Sequence, residues 1–360
     1  MPTPAALERA QSFCRAYGLR IPVLMAPMAG ACPPALAAAV ARAGGLGGCG
    51  ALLMKPEAIG TWAATVRAAT NGGFQLNLWV PDPAPVRDPA HEAAVRSFLG
   101  AWGPTVPPEA GDVTPVDFKS QCEAVLDAGP AVVSSIMGLY PEPFVSRLKA
   151  RGIRWLANVT TVAEARAAVD AGADAVVAQG MEAGGHRGSF EADRPDTALV
   201  GLFALLPAVV DAVGDRVPVI ATGGIADARG IAAAFVLGAS AVQIGTGLLR
   251  TPEAGIVPAW ADAIAAAAPE DTVPTRAFSG RLGRSVATAY VKAANGPAAP
   301  APAPYPVQRG LTQAMRDQGA KANDIDRIQA WAGQAARLAP AEPAGDYIQR
   351  IWAEAEAMLG

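Results

Sequence analysis

Residues 218–247 read PVIATGGIADARGIAAAFVLGASAVQIGTG, and this stretch decides the fold. It opens on a short apolar run, Pro218–Thr222, and closes on another, Ala241–Gly245. Between them lies an alanine-rich helical segment, Asp227–Leu237. Both runs are too uniformly apolar for half-exposed strands, and read as strands buried on both faces of a parallel sheet. Gly238 follows the helix, where glycine reaches the left-handed cap conformation most easily.

Working outward, the same unit recurs. Further strand candidates are Pro22–Ala29, Leu46–Leu53, Phe74–Val80, Ala131–Met137, Arg154–Val159 and Ala173–Gln179. Helical patterns fill the gaps at Pro33–Ala43, Pro143–Arg151 and Val162–Ala171, each followed by a glycine: Gly44, Gly152 and Gly172. Strict strand–helix alternation implies a parallel sheet. About eight repeats favour a closed (β/α)8 TIM barrel over an open sheet. Two insertions break the spacing, Pro81–Asp117 after the third strand and Met181–Val217 after the sixth. Both leave a strand's C-terminal end, the face that carries the active site in these barrels.

The expected division is a barrel over residues 1–250, including an N-terminal helix within Met1–Tyr17, and a mostly helical extension over 251–360. In the extension, helices are expected at Pro258–Ala268, Gly283–Ala294 and Leu311–Leu359, with an extended proline–alanine linker at Gly296–Pro306. The tail is expected to return and pack on the barrel.

Composition agrees with this class. Of 360 residues, 51% are hydrophobic and only 6% aromatic, which suits close helix–sheet packing better than an aromatic-lined sandwich. The net charge of −3 is spread without runs, so there is no basic footprint for nucleic acid. Cys14, Cys32, Cys49 and Cys122 show no metal-ligand spacing and read as reduced thiols. Cys32 follows a strand and could be reactive, although buried filler is the simpler reading. The N-terminus lacks a signal-peptide pattern, and the apolar runs are far shorter than the ~20 residues a membrane span needs. A soluble, cytoplasmic protein is expected.

The chemistry concentrates at strand ends. Ala221-Thr222-Gly223-Gly224-Ile225 and Gln243-Ile244-Gly245-Thr246-Gly247 end the seventh and eighth strands, where barrels commonly hold phosphate. Glycines there let backbone N–H groups approach phosphate oxygens, and a following helix adds its positive end. A GxGxxG at Gly45–Gly50 is no dinucleotide fingerprint, because it follows a helix and precedes a strand.

The sixth strand ends in Gln179-Gly180-Met181-Glu182-Ala183-Gly184-Gly185-His186-Arg187-Gly188. Of the two histidines, His91 falls in the polar insertion and reads as solvated. His186 sits among glycines on the functional face, suited to proton transfer near neutral pH. Glu182 and Arg187 read as a loop-ordering pair. Asn77 and Gln179 interrupt apolar runs, and their amides match the mixed donor–acceptor edge of an isoalloxazine ring. Pro27 and Met28 could place backbone groups beside that ring. Ser134 and Ser135 fit either the pocket or backbone-bonded core serines. There is no metal-binding cluster and no GxSxG elbow.

Taken as a set, Pro22–Met28, Gln75-Leu76-Asn77, Gln179–Gly188, Ala221–Ile225 and Gln243–Thr246 resemble the nitronate monooxygenases, formerly 2-nitropropane dioxygenases. The long insertion, Gly280-Arg281-Leu282-Gly283-Arg284 and Trp331-Ala332-Gly333-Gln334 look like the class acting on propionate 3-nitronate. The resemblance implies FMN contacting Asn77, Gln179, Gly184, Gly224 and Gln243, Ile244, Gly245 and Thr246, with His186 as the active-site histidine. It implies oxidation of a nitronate by O2 to a carbonyl product and nitrite. His186 would either stabilise the anion when protonated or deprotonate a nitroalkane when neutral. That class often carries a Pro-Tyr-Pro tyrosine with a lysine four residues later. Here Tyr305 is followed by Arg309, which keeps the charge with an altered geometry, so Tyr305, Arg309 and Ser135 are the candidate substrate contacts. Two alternatives share the loops: an FMN-dependent enoyl-acyl-carrier-protein reductase using NAD(P)H, and a flavin- or phosphate-ligand-binding protein without turnover.

Overall fold

A computed structural model of the chain describes residues 5–192 and 198–360. The first four residues of the expected N-terminal segment, and residues 193–197 of the expected insertion Met181–Val217, lie outside the described residues. In chain order the strands are β1 (Val23–Met25), β2 (Gly47–Gly50), β3 (Phe74–Trp79), β4 (Val132–Ile136), β5 (Arg154–Val159), β6 (Ala175–Gln179), β7 (Gly185–His186), β8 (Val219–Thr222), β9 (Ala241–Ile244), β10 (Thr272–Thr275) and β11 (Gly283–Val286). Eight of them form one parallel sheet in the order β1-β9-β8-β6-β5-β4-β3-β2. Met25 N donates to the Leu46 carbonyl at 2.9 Å and Leu46 N to that of Val23 at 3.1 Å, which joins β1 to the chain entering β2 and closes the barrel. The remaining three, β10-β11-β7, make a small antiparallel sheet above it.

Alternation along the strands separates the layers. Leu24, Leu46, Val132, Leu156, Val177 and Ile220 fill the barrel interior. Phe13 and Tyr17, on the helix Ala5–Tyr17, stack at 4.3 Å and pack into that same cluster as a plug. The opposite strand faces pack against the surrounding helices, whose cap glycines Gly44 and Gly238 both take φ +104°. All four cysteines are buried and unbridged, with Cys32 Sγ 3.8 Å from Cys49 Sγ.

A second core lies apart from the barrel. Val95 and Leu99 of the third-strand insertion pack with Phe278, Tyr290, Val307, Leu311 and Met315 of the C-terminal segment. The insertion therefore carries structure of its own, a helix at Pro89–Leu99 whose N-cap, Asp88, accepts from the amides of Ala90 and His91. His91 lies at the surface, as its polar surroundings suggest, partly covered, with its Nε2 2.7 Å from the carbonyl of Ala301 in the proline–alanine linker.

The C-terminal segment also departs from expectation. Gly283–Ala294 is not one helix: Gly283–Val286 is β11, paired on both sides, and the helix starts at Ala289 behind its N-cap Thr288. Nor is Leu311–Leu359 continuous. Helices Val307–Leu311 and Gln313–Ala322 end at Asn323, which takes φ +53°, and the last helix, Ala344–Leu359, begins only after Pro343. That final helix packs on the barrel helices Pro34–Ala43 and Ala228–Val236. Among the described residues no helix is long and apolar enough to cross a membrane.

Candidate active site

A cavity of about 510 Å³ opens at the C-terminal ends of the barrel strands, between the barrel and the second core. This is the size of a cofactor or small-molecule site. Pro27, Met28, Asn77, Ser135, Gln179, Gly184, His186, Gly223, Gly224, Gln243, Gly245, Thr246 and Arg309 all line it. Ile244 does not. It is 1% exposed and packs in the layer between sheet and helices, because strand alternation turns Gln243 inward and Ile244 outward. Tyr305 stands behind the wall, stacked on Trp79 with ring centroids 4.7 Å apart.

The amides of Gly223, Gly224, Gly245 and Thr246 donate to no protein group among the described residues. Their carriers sit partly exposed on the cavity wall, so the two loops offer free N–H groups to a ligand. Gly223 and Gly224 take φ +110° and +69°, conformations that L side chains rarely adopt. Packing adds a second constraint. A Cβ at Gly184 would lie 2.5 Å from Gly333 N, so the histidine loop and the Trp331–Gln334 segment meet backbone to backbone. Gly333 N then donates to Thr246 Oγ1 at 3.0 Å, which ties that segment to the end of β9. The following helix contributes less than its position suggests. Asp227 already caps it, accepting from Gly230 N at 2.9 Å, and so brings a carboxylate to the helix start.

Gln179 organises the histidine loop from inside. Its Nε2 donates to the His186 carbonyl at 3.0 Å and its Oε1 accepts from Gly188 N at 2.8 Å. Glu182 and Arg187 order the same region separately rather than as a pair. Glu182 accepts from Leu202 N, while Arg187 donates to the carbonyls of Gln179, Thr160 and Ala198. Asn77 Nδ2 donates to the Ser134 carbonyl and hydroxyl, both at 3.1 Å. Ser135 lines the cavity, yet its hydroxyl accepts from the Trp155 indole at 3.0 Å, so both readings of that serine hold in part.

His186 is held on β7 by pairing with Gly283 of β11. Its ring meets Trp79 edge-on at 4.9 Å and Trp331 at 5.1 Å, and Nε2 lies 2.8 Å from Ser279 Oγ. Burial, then the positive charges of Arg309 and Arg281, push its pKa down to about 3. The imidazole is therefore neutral throughout the ordinary working range. The unfolded chain would bind a proton that the folded one refuses between about pH 6.5 and 3, so this contribution to stability is present above pH 6.5 and lost as pH falls toward 3. The urea-unfolding free energy of wild type minus that of His186→Asn should fall between about pH 7 and pH 4.5. A pH-independent difference would contradict the buried, neutral imidazole.

Arg309 is half-buried on the wall, and its guanidinium makes no hydrogen bond or ion pair among the described residues. Burial lowers its pKa. Arg316, one helix further on, also lines the cavity but is held by neutral acceptors, Gln329 Oε1 at 3.1 Å and Gln313 Oε1 at 2.7 Å among them. Sequence reasoning missed Trp79, Ser279, Trp331 as a site residue, and Arg316. Only Trp79 carried a local signal, two residues after Asn77 on the same strand and hence on the same face.

Comparison with known proteins decides the family. The model of the nitronate monooxygenase family matches residues 13–354. The chain belongs to the nitronate monooxygenase family. It is 38% identical over 340 residues to the nitronate monooxygenase of Paraburkholderia phytofirmans, an alignment covering 93% of this chain and 92% of that one. The structure is similar to that of the nitroalkane oxidase from Streptomyces ansochromogenes, with a TM-score of 0.86 and 36% identity over 96% of this chain and 100% of that one. FabK from Thermotoga maritima is similar at a TM-score of 0.75 and 29% identity, covering 97% and 96% respectively. The chain is thus an oxidoreductase of a flavin-dependent family, on an eight-stranded parallel barrel with a small antiparallel sheet inserted above it.

Proposed function

We propose that the protein is an FMN-dependent monooxygenase that oxidises alkyl nitronates, propionate 3-nitronate foremost, with O2 to a carbonyl product and nitrite. One observation carries this reading: the guanidinium of Arg309, without a protein partner among the described residues, faces the same cavity as a neutral imidazole. Asp317 lines the same cavity but makes no ion pair with Arg309, and a half-buried guanidinium held by no carboxylate favours an anionic ligand. A nitronate is such an anion, whereas an enoyl thioester brings no charge to its reacting carbons.

The residues present fit FMN. The free amides of Gly223, Gly224, Gly245 and Thr246 would hold the phosphate, at loops where an added Cβ on Gly223, Gly224 or Gly245 would meet a neighbour at 3.2–3.3 Å. Asn77, Gln179, Gln243, Gly184 and the Pro27–Met28 backbone would border the ring. When bound, FMN supplies the redox chemistry between nitronate and O2. The chain's own residues do the rest. Arg309 binds the anion, with the Tyr305 ring behind the wall fixing Trp79. Neutral His186, braced by Ser279, accepts a proton where the substrate arrives as a nitroalkane, its proton affinity raised by the negative charge that develops on the substrate beside it. The two tryptophans flanking His186 cover part of its ring and leave the rest facing the cavity.

Oxygen uptake with stoichiometric nitrite release, measured on a panel of nitronates, tests the reading. Consumption of O2 with propionate 3-nitronate is expected, and none with any nitronate would refute it. Arg309→Met should raise KM for the nitronate about 10- to 100-fold with flavin content unchanged, the usual loss for a hydrogen bond to a charged group. An unaltered KM would remove Arg309 from the substrate site.

A further inference from the structure

We infer that Trp79 binds the substrate directly, its indole N–H donating to an oxygen of the bound anion; this rests on the nitronate reading above. Trp79 ends β3, and the two-residue spacing puts it in the layer above Asn77. Only 5% of its surface is exposed, yet it forms part of the cavity wall. Its ring is fixed on several sides. Tyr305 stacks on it at an interplanar angle of 14°, the His186 ring meets it at 74°, and Arg281 Cζ lies 5.8 Å from the ring centroid.

None of these contacts takes the polar atom. Nε1 is buried without a hydrogen-bond acceptor among the described residues. A buried indole N–H normally has a partner, and leaving one unmet is unfavourable. A phenylalanine would stack on Tyr305 equally well and bury no donor. The feature that packing leaves unexplained is therefore the N–H itself, in a ring touching His186 and in the wall that carries Arg309. A planar anion with two charged oxygens would satisfy both donors, one oxygen toward the guanidinium and one toward the indole, once a small shift of the ring opens the buried N–H to the cavity.

The test compares wild-type holoprotein with Trp79→Phe, after flavin content has been matched. Nitrate, a planar oxyanion that does not react, is titrated against the visible flavin spectrum, and kcat/KM is measured for propionate 3-nitronate. The nitrate Kd should rise, and kcat/KM should fall, about 10- to 100-fold, as for loss of a hydrogen bond to a charged group. Values within about twofold of wild type, or nitrate that does not bind the wild-type protein, would overturn the inference. Should Trp79→Phe lose flavin, replacing the indole with benzothiophene keeps the shape and removes only the N–H, and the same outcomes decide. Wild-type turnover of nitronate with an unaffected Trp79→Phe variant would sink this inference alone. Absence of nitronate turnover in wild type would sink the functional reading, while the nitrate comparison would still decide the role of Trp79.

Discussion

Replacing His186 with asparagine is expected to lower kcat/KM for a nitroalkane by about 10²- to 10⁴-fold, the range for removing a general acid–base group, while the protein stays yellow. The loop should survive the change. Gln179 holds it through the His186 carbonyl and the Gly188 amide, both backbone groups, and β11 pairs with the His186 backbone. An asparagine amide can still reach toward Ser279, so the wall is retained while the proton acceptor is lost. With the imidazole pKa near 3, the free enzyme should show no histidine inflection between about pH 5 and 8 in kcat/KM. Flavin-to-protein ratio and steady-state rates check both halves. Activity at the wild-type rate would mean that His186 handles no proton.

Gly224→Val should act on the cofactor instead. The native φ of +69° is strained for a β-branched residue, and an added Cβ would sit 3.2 Å from Glu182 Cβ. Glu182 cannot easily yield, because its carboxylate holds the Leu202 amide. The loop would have to move, taking its free amides with it. Strain of about 1–3 kcal/mol relieved in this way weakens flavin binding by about 10- to 100-fold. Reconstitution of the apoprotein with FMN, followed by fluorescence, measures the change, and far-UV circular dichroism checks that the barrel persists. An unchanged flavin affinity would place the phosphate elsewhere.

The barrel was legible because most strands lie in short apolar runs alternating with helices that end in glycine, a pattern that needs no long-range information, although β2 (GGCG) and β3 (FQLNLW) hold no β-branched residue. The small sheet was not. β7 is two residues long, β10 contains Pro274, and β11 reads as GRSV; their pairing depends on segments far apart in sequence. Legibility of the site follows the same division. Asn77, Gln179, Gly223 and Thr246 stand at strand ends, where barrels place ligands, and the sequence marks them by polarity or glycine. Ile244 shows the limit of carrying a motif over as a block, since alternation turns it away from the cavity. Ser279, Arg316 and Trp331 come from the second core and the returning tail, whose position over the cavity no local pattern announces.

Anaerobic mixing of the purified yellow protein, separately with propionate 3-nitronate and with NADH, tests most directly whether the cavity is built to oxidise an anion. Bleaching of the visible flavin band by the nitronate, with NADH leaving it unchanged, is the predicted result. Rapid bleaching by NADH with no response to the nitronate would contradict it and favour a reductase.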